Sequence, residues 1–197
     1  MNLRRISLAA ALALALPVVA SAQSRSSAGS GLGAGLLVGM ESNNGETGLA
    51  LRADGVLDSK WIAPKVLLSG VLSVGFMHWG DSRSDPFYTY DSSENVFKVI
   101  PAIRFTFDVA PQFGLYTDAG LGFYYASANV TTKDRTFGGV VQDATNSGLG
   151  VAMRFAGGAF FKISEGFRLG AEVGLNPYFG EISDTTFTLM GLAQFRL

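Results

Sequence analysis

One histidine, His78, and no cysteine at all occur in this 197-residue chain. Those two facts bound the chemistry before any fold is considered. Thiol catalysis, zinc-thiolate sites and disulfides are excluded. His78 is followed by Trp79, Asp81, Ser82, Ser84 and Asp85, so the nucleophilic option is an imidazole activating a hydroxyl. That option demands hydrogen-bond reach between the two groups. No His-x-Ser pattern supplies it, and no acid to orient the ring is evident on a neighbouring segment. No catalytic residue is assigned, and His78 reads as part of an interfacial aromatic belt. The nearby acids Asp81, Asp85, Asp91 and Glu94 lack the spacing of a known calcium loop, so neither a metal nor another cofactor is expected. The same polar stretch carries Phe87, Tyr88 and Tyr90. Exposed aromatics of this kind serve recognition, which makes these three the candidates for contact with a surface ligand of unspecified chemistry.

A second group of charges is distributed differently. Arg52, Lys98, Arg104, Arg154, Lys162, Arg168 and Arg196, with Asp54, Asp108, Asp118 and Glu172, sit at alternate positions within otherwise apolar segments. Period two belongs to strands with one apolar face. Over residues 97–109, Phe97, Val99, Pro101, Ile103, Phe105, Phe107 and Val109 alternate with Lys98, Ile100, Ala102, Arg104, Thr106 and Asp108. The same alternation runs through 115–125, 148–163 and 167–177, and more weakly through 31–41, 47–58, 65–79 and 186–197. Eight strands are therefore predicted. The second is irregular, with a bulge expected at Asp54-Gly55.

The chain is 48% hydrophobic and 16% charged, with a mean hydropathy of +0.27. That is too apolar for an ordinary soluble domain and too ordered in pattern for a disordered one. With 15 Lys and Arg against 16 Asp and Glu, there is no basic excess to bind phosphate backbones, so nucleic acid is not an expected partner. Residues 1–22 read as a cleaved secretory signal peptide: Arg4 and Arg5 are basic, Leu8 to Leu16 apolar, and Ala20-Ser21-Ala22 forms a small-residue cleavage site. Residues 23–30 form a short N-terminal segment and 31–197 a single domain. In the chain that follows the signal peptide, residues 26–40 and 66–80 are the longest uncharged stretches, both short of the roughly 20 residues a spanning helix needs.

Alternation alone does not say which face looks inward, and a soluble lipocalin-like barrel is the inverse solution. Three features favour apolar outside. Glycine crowds the polar face, as at Gly114, Gly120, Gly122, Gly150, Gly158, Gly170 and Gly174, where an eight-stranded lumen has space for few large side chains. Aromatics on the apolar face gather at strand ends: Phe76, Phe97, Tyr125, Phe179 and Phe187 at one rim, Phe107, Phe113, Phe161, Phe167 and Phe195, with Trp61 in a turn, at the other. Two such girdles are what a bilayer selects. Finally, short connections alternate with polar stretches at 80–95 and 129–146, read as long loops.

On these residues the chain resembles the small eight-stranded outer-membrane barrels of the OmpA, OmpX and opacity-protein type over essentially all of 30–197. The last strand, from Phe187 to Leu197, is similar to the terminal strand that the family's assembly machinery reads, with Phe195 and Leu197 at its last apolar positions; Leu197 replaces the usual terminal aromatic. The resemblance implies an all-β fold: an eight-stranded antiparallel up-and-down transmembrane β-barrel with short periplasmic turns and longer external loops. It also implies an integral place in the cell outer membrane of a Gram-negative organism. Outer-membrane lipid and lipopolysaccharide are then partners, as is the barrel-assembly machinery during biogenesis. The eleven alternating charges would form a lumen network with a basic excess. A structural or surface-interaction role with a plugged lumen is the leading expectation. A narrow porin-like channel for small solutes or anions is the alternative, followed by a lipid-modifying enzyme or a soluble binder.

Overall fold

A helix would mix the alternating apolar and polar side chains on every face, whereas a strand sorts them to opposite sides. The computed structural model, which describes residues 32–43, 46–137, 139–180 and 183–196, follows that rule. Its strands are β1 (Gly33–Asn43), β2 (Glu46–Ala63), β3 (Val66–Ser84), β4 (Tyr88–Ala110), β5 (Phe113–Asp134), β6 (Val140–Lys162), β7 (Phe167–Gly180) and β8 (Asp184–Arg196). Each pairs antiparallel with the next, and β1 closes on β8 from Gly33↔Arg196 to Ser42↔Phe187. The result is a closed eight-stranded barrel with no edge strand at membrane height. The proposed signal peptide, the segment 23–30 and Leu197 lie outside the described residues.

Each predicted face is found where its parity puts it. On β4, Phe97, Pro101, Ile103, Phe105 and Phe107 are exposed, while Lys98, Ile100, Ala102, Arg104 and Thr106 are buried. Large apolar side chains cover the outside, with Phe123 71% exposed and Leu121 54% exposed. A continuous apolar surface of this kind on a closed barrel is a lipid-facing surface. Phe76, Phe97 and Tyr125 are direct neighbours across three strands at the upper rim. At the lower rim, Phe113 pairs with Phe161 and Phe167 with Phe195, with ring centroids 5.3 and 5.0 Å apart. Phe97 and Phe107 belong to opposite belts of one strand, and the rise between them, corrected for tilt, is roughly 25 Å, the height of an outer-membrane apolar band.

Three local expectations change. The stretches 80–95 and 129–146 are not long loops: β3 and β4 stay paired out to Ser84↔Thr89, and β4 and β5 out to Tyr88↔Asp134. Backbone ladders need no apolar face, so polar alternation above the membrane continues the strands and leaves only short tips. The irregularities in β2 lie between Leu57 and Ser59 and between Trp61 and Ala63 instead of at Asp54-Gly55, whose ladder is regular. The first of these shifts moves Trp61 out of the outward girdle. Trp61 pairs with Leu67, which shares its side of the sheet with lumen-facing Ser69 and Thr106. Below it, Pro64-Lys65 makes the β2–β3 turn with Lys65 at a φ of 68°, the left-handed conformation that the third position of a type II turn requires.

The lumen and the external sheet

Inside the barrel, lumen parity brings charges from six strands into contact. Arg52 of β2 grips Glu172 of β7 with two bonds of 2.6 Å and Asp54 with bonds of 2.9 and 3.1 Å. Arg104 of β4 holds Asp118 of β5 through two 2.7 Å bonds and reaches Asp54 at 2.9 Å. Arg154 of β6 donates to Asp118 at 2.7 Å and to the Ser73 hydroxyl at 2.6 Å. Ser73 in turn donates to Asp54 at 2.7 Å, and the Tyr116 hydroxyl donates to Glu172 at 2.9 Å. Nearer the external end a second group surrounds Glu41, which accepts from Lys98 at 2.8 Å, from Tyr178 at 2.8 Å and from Thr186. All of these charged side chains are buried. Between the two groups lies a cavity of about 10 Å³ lined in part by Arg52, Ser73, Lys98 and Arg154, space for about one water.

The expected basic excess is absent from this buried section. Arg52, Lys98, Arg104 and Arg154 face Glu41, Asp54, Asp118 and Glu172, four cations to four carboxylates. In a low-dielectric interior, uncompensated charge is costly, and balance with mutual hydrogen bonds is what lets eight ionised groups coexist. Glu41 was not among the predicted lumen residues, although its odd number aligns it with inward-facing Gly35 and Leu37 on the same strand. Lys162 and Asp108 pair with each other at 2.8 Å near the periplasmic mouth, away from the central network. Arg168, at the same mouth, lies with its guanidinium 4.8 Å above the Phe160 ring.

Glycine makes room for the large rings. Tyr116 is paired across the ladder with Gly158, Tyr124 with Gly150, and Phe160 with Gly114. A Cβ added at any of the three glycines would overlap the facing ring. Each ring thus lies flat over a neighbour without a side chain and reaches further across the lumen.

Above the membrane, β3 to β6 continue as a four-stranded sheet that rises roughly 20 Å past the aromatic rim. Its tips are tied by Arg135, whose backbone N–H donates to the Phe87 carbonyl at 2.9 Å and whose guanidinium donates to the Asp85 carbonyl at 2.8 Å. Phe87 is at the tip and 67% exposed, beside Phe137 at 87%. Tyr88 and Tyr90 stand on β4 with ring centroids 6.3 Å apart. The three predicted contact aromatics therefore cluster on one projecting end. The Asp85 carboxylate accepts the N–H groups of Tyr88 at 2.7 Å and Phe87 at 2.8 Å, which holds its pKa below the ordinary value. Asp91 is lowered as well, by hydrogen bonds from Lys133 and Ser82.

His78 faces outward near the upper rim, its Nδ1 2.9 Å from the Asn95 Oδ1. Residue 80, next on that face, is glycine, and a Cβ there would lie 3.5 Å from the imidazole Nε2. The place where a hydroxyl would meet the ring is thus without a side chain. Among the described residues no group of His, Asp and Glu is arranged to hold a metal. Phe195 is half exposed on the lipid face and stacks on Phe167.

The outer membrane protein beta-barrel domain family matches residues 6–195. No curated protein sequence matches the chain. Among solved structures, Neisserial surface protein A is similar with a TM-score of 0.51 at 13% identity, over 88% of this chain and 100% of that one. The outer membrane enzyme PagL gives a TM-score of 0.51 at 18% identity, over 82% and 97% of the two chains. Ail, the attachment invasion locus protein of Yersinia pestis, solved with the heparin analogue sucrose octasulfate, gives 0.48 at 17% identity, over 85% and 97%. At these identities the likeness is one of fold.

Proposed function

The chain belongs to the outer membrane protein β-barrel domain family, and we propose that within it this protein is a closed barrel whose work is done by the sheet it raises above the membrane: a structural and surface-interaction protein, neither a channel nor an enzyme. The observation that carries the reading is the lumen, where four cations and four carboxylates are mutually paired around a residual cavity of about 10 Å³. Hydrated ions need a continuous water path. Rings lying over glycines fill the width that the network leaves. The surface role draws its support from the exposed aromatics Phe87 and Phe137, presented at the end of a paired sheet. Against lipid-modifying chemistry stands the glycine at position 80, which leaves the position beside the His78 Nε2 on that face without a hydroxyl.

Planar-bilayer recording from the refolded barrel tests the closed lumen. No resolved single-channel steps are expected, and steps that disappear when the protein is omitted would refute it. Lipid A from outer membranes carrying the protein, compared by mass spectrometry with membranes lacking it, is expected to be unchanged in acylation.

A further inference from the structure

The periplasmic mouth differs from the lumen above it in one respect: among the described residues, its lumen-facing cations outnumber the one lumen-facing acid, Asp108. Lys162, Arg168 and Arg196 come from the ends of three consecutive strands and have lumen parity; Lys162 is the ladder partner of Arg168, and Arg168 that of Gln194. Lys162 is neutralised by Asp108. Arg168 and Arg196 form no ion pair among the described residues, and Arg196 stands two residues beyond Gln194, the ladder partner of Arg168, on the same face of the sheet. Glu165, in the intervening turn, is exposed and pairs with neither. In the interior every arginine is matched to a carboxylate, so two unmatched guanidiniums side by side are a departure from this barrel's own rule.

Their setting is that of a receptor. Arg168 is held by its guanidinium lying 4.8 Å over the Phe160 ring, a contact with a ring face that uses none of its N–H groups in an ion pair. The same Phe160, with Tyr116, Leu37 and Leu192, forms the apolar floor that closes the mouth from above. The central network beyond that floor is neutral and offers no counter-charge. A blind cup with low-dielectric walls and a positive lining concentrates anions, and paired guanidinium forks match the geometry of carboxylate and phosphate oxygens.

We propose that Arg168 and Arg196 form an oxyanion-binding site in the periplasmic mouth, taking the carboxylate or phosphate group of a molecule on that side of the membrane. The inference goes beyond the surface-interaction reading and is independent of it, since it concerns the opposite end of the barrel.

The folded barrel in a non-ionic, phosphate-free detergent is titrated with inorganic phosphate and with acetate at constant ionic strength set by chloride, and the arginine Nε–H resonances are followed by NMR. Saturable shifts at Arg168 and Arg196, absent at surface Arg83, are expected. Arg196→Gln should weaken binding roughly tenfold. Arg168→Gln should do the same, and because it also removes the stack on Phe160, the exposed Arg196→Gln variant keeps the test informative if it folds poorly. Tighter binding of phosphate assigns a phosphate-bearing ligand; equal or tighter binding of acetate assigns a carboxylate-bearing one. Shifts that do not saturate, or that chloride reproduces, overturn the proposal.

Discussion

Asp118 is held by two guanidiniums at once, Arg104 through two 2.7 Å bonds and Arg154 through one. Removing its carboxylate would leave four buried cations facing three carboxylates, with Arg104 held only by Asp54 and Arg154 hydrogen-bonded only to the Ser73 hydroxyl. Breaking a buried ion pair from one side costs about 3–5 kcal/mol, whereas exposed pairs contribute under about 1 kcal/mol. Asp118→Ala should therefore lower the urea midpoint of unfolding strongly, while Asp81→Ala, which frees only the exposed Arg83, should leave it nearly unchanged. Equal midpoints for the two variants would contradict a network held by charge balance. At this scale the sequence was readable where charge sits inside an apolar repeat, as for Arg104 and Asp118. It was not readable at Glu41, near the end of β1, where an acid looks like the start of a polar turn. Parity was the available signal, but only the ladder reveals that Lys98 and Tyr178 converge on that carboxylate.

Strand interiors could be read from periodicity, but strand ends could not. Within the bilayer, lipid on one side and a packed lumen on the other force every residue to choose a face. Above the rim both faces meet water, the hydrophobic alternation disappears, and residues 80–95 resemble a loop although they are paired almost throughout. Bulges are similarly hidden: the one after Leu57 changes which face Trp61 takes without altering the sequence pattern. The β3–β4 tip also carries a pH dependence. Because Asp85 has a lowered pKa in the folded tip, from the Tyr88 and then the Phe87 backbone N–H, its contribution is fully present above the ordinary carboxylate value of 3.8 and is lost as pH falls through the lower, folded value. The amide resonances of Phe87 and Tyr88 should titrate with a midpoint below 3.8. A midpoint at or above that value would mean the two bonds do not hold the tip in solution.

For the whole molecule, inside and outside were legible in advance because one choice of parity satisfies all eight strands together. On a gel, unheated protein from outer-membrane fractions should migrate differently from boiled protein, as a detergent-stable barrel does, and its N-terminus by mass spectrometry should be Gln23 if residues 1–22 are removed. Recovery in an osmotic-shock supernatant, with no heat-dependent shift, would contradict the membrane placement. Parity leaves one ambiguity, since sliding a strand by two residues along its neighbour keeps every side chain on its proper face. The ring-over-glycine pairs of β5 and β6 remove it. Slipped one way, Tyr116 would meet Phe160 ring against ring; slipped the other, Gly114 would face Gly158 across an empty gap. With Tyr116 on Gly158 and Phe160 on Gly114, each wrong alignment is rejected by a collision or a void. The glycines that look like absences in the sequence thus act as the teeth of a ratchet that sets the barrel's stagger, and with it the diameter into which the charges must fit.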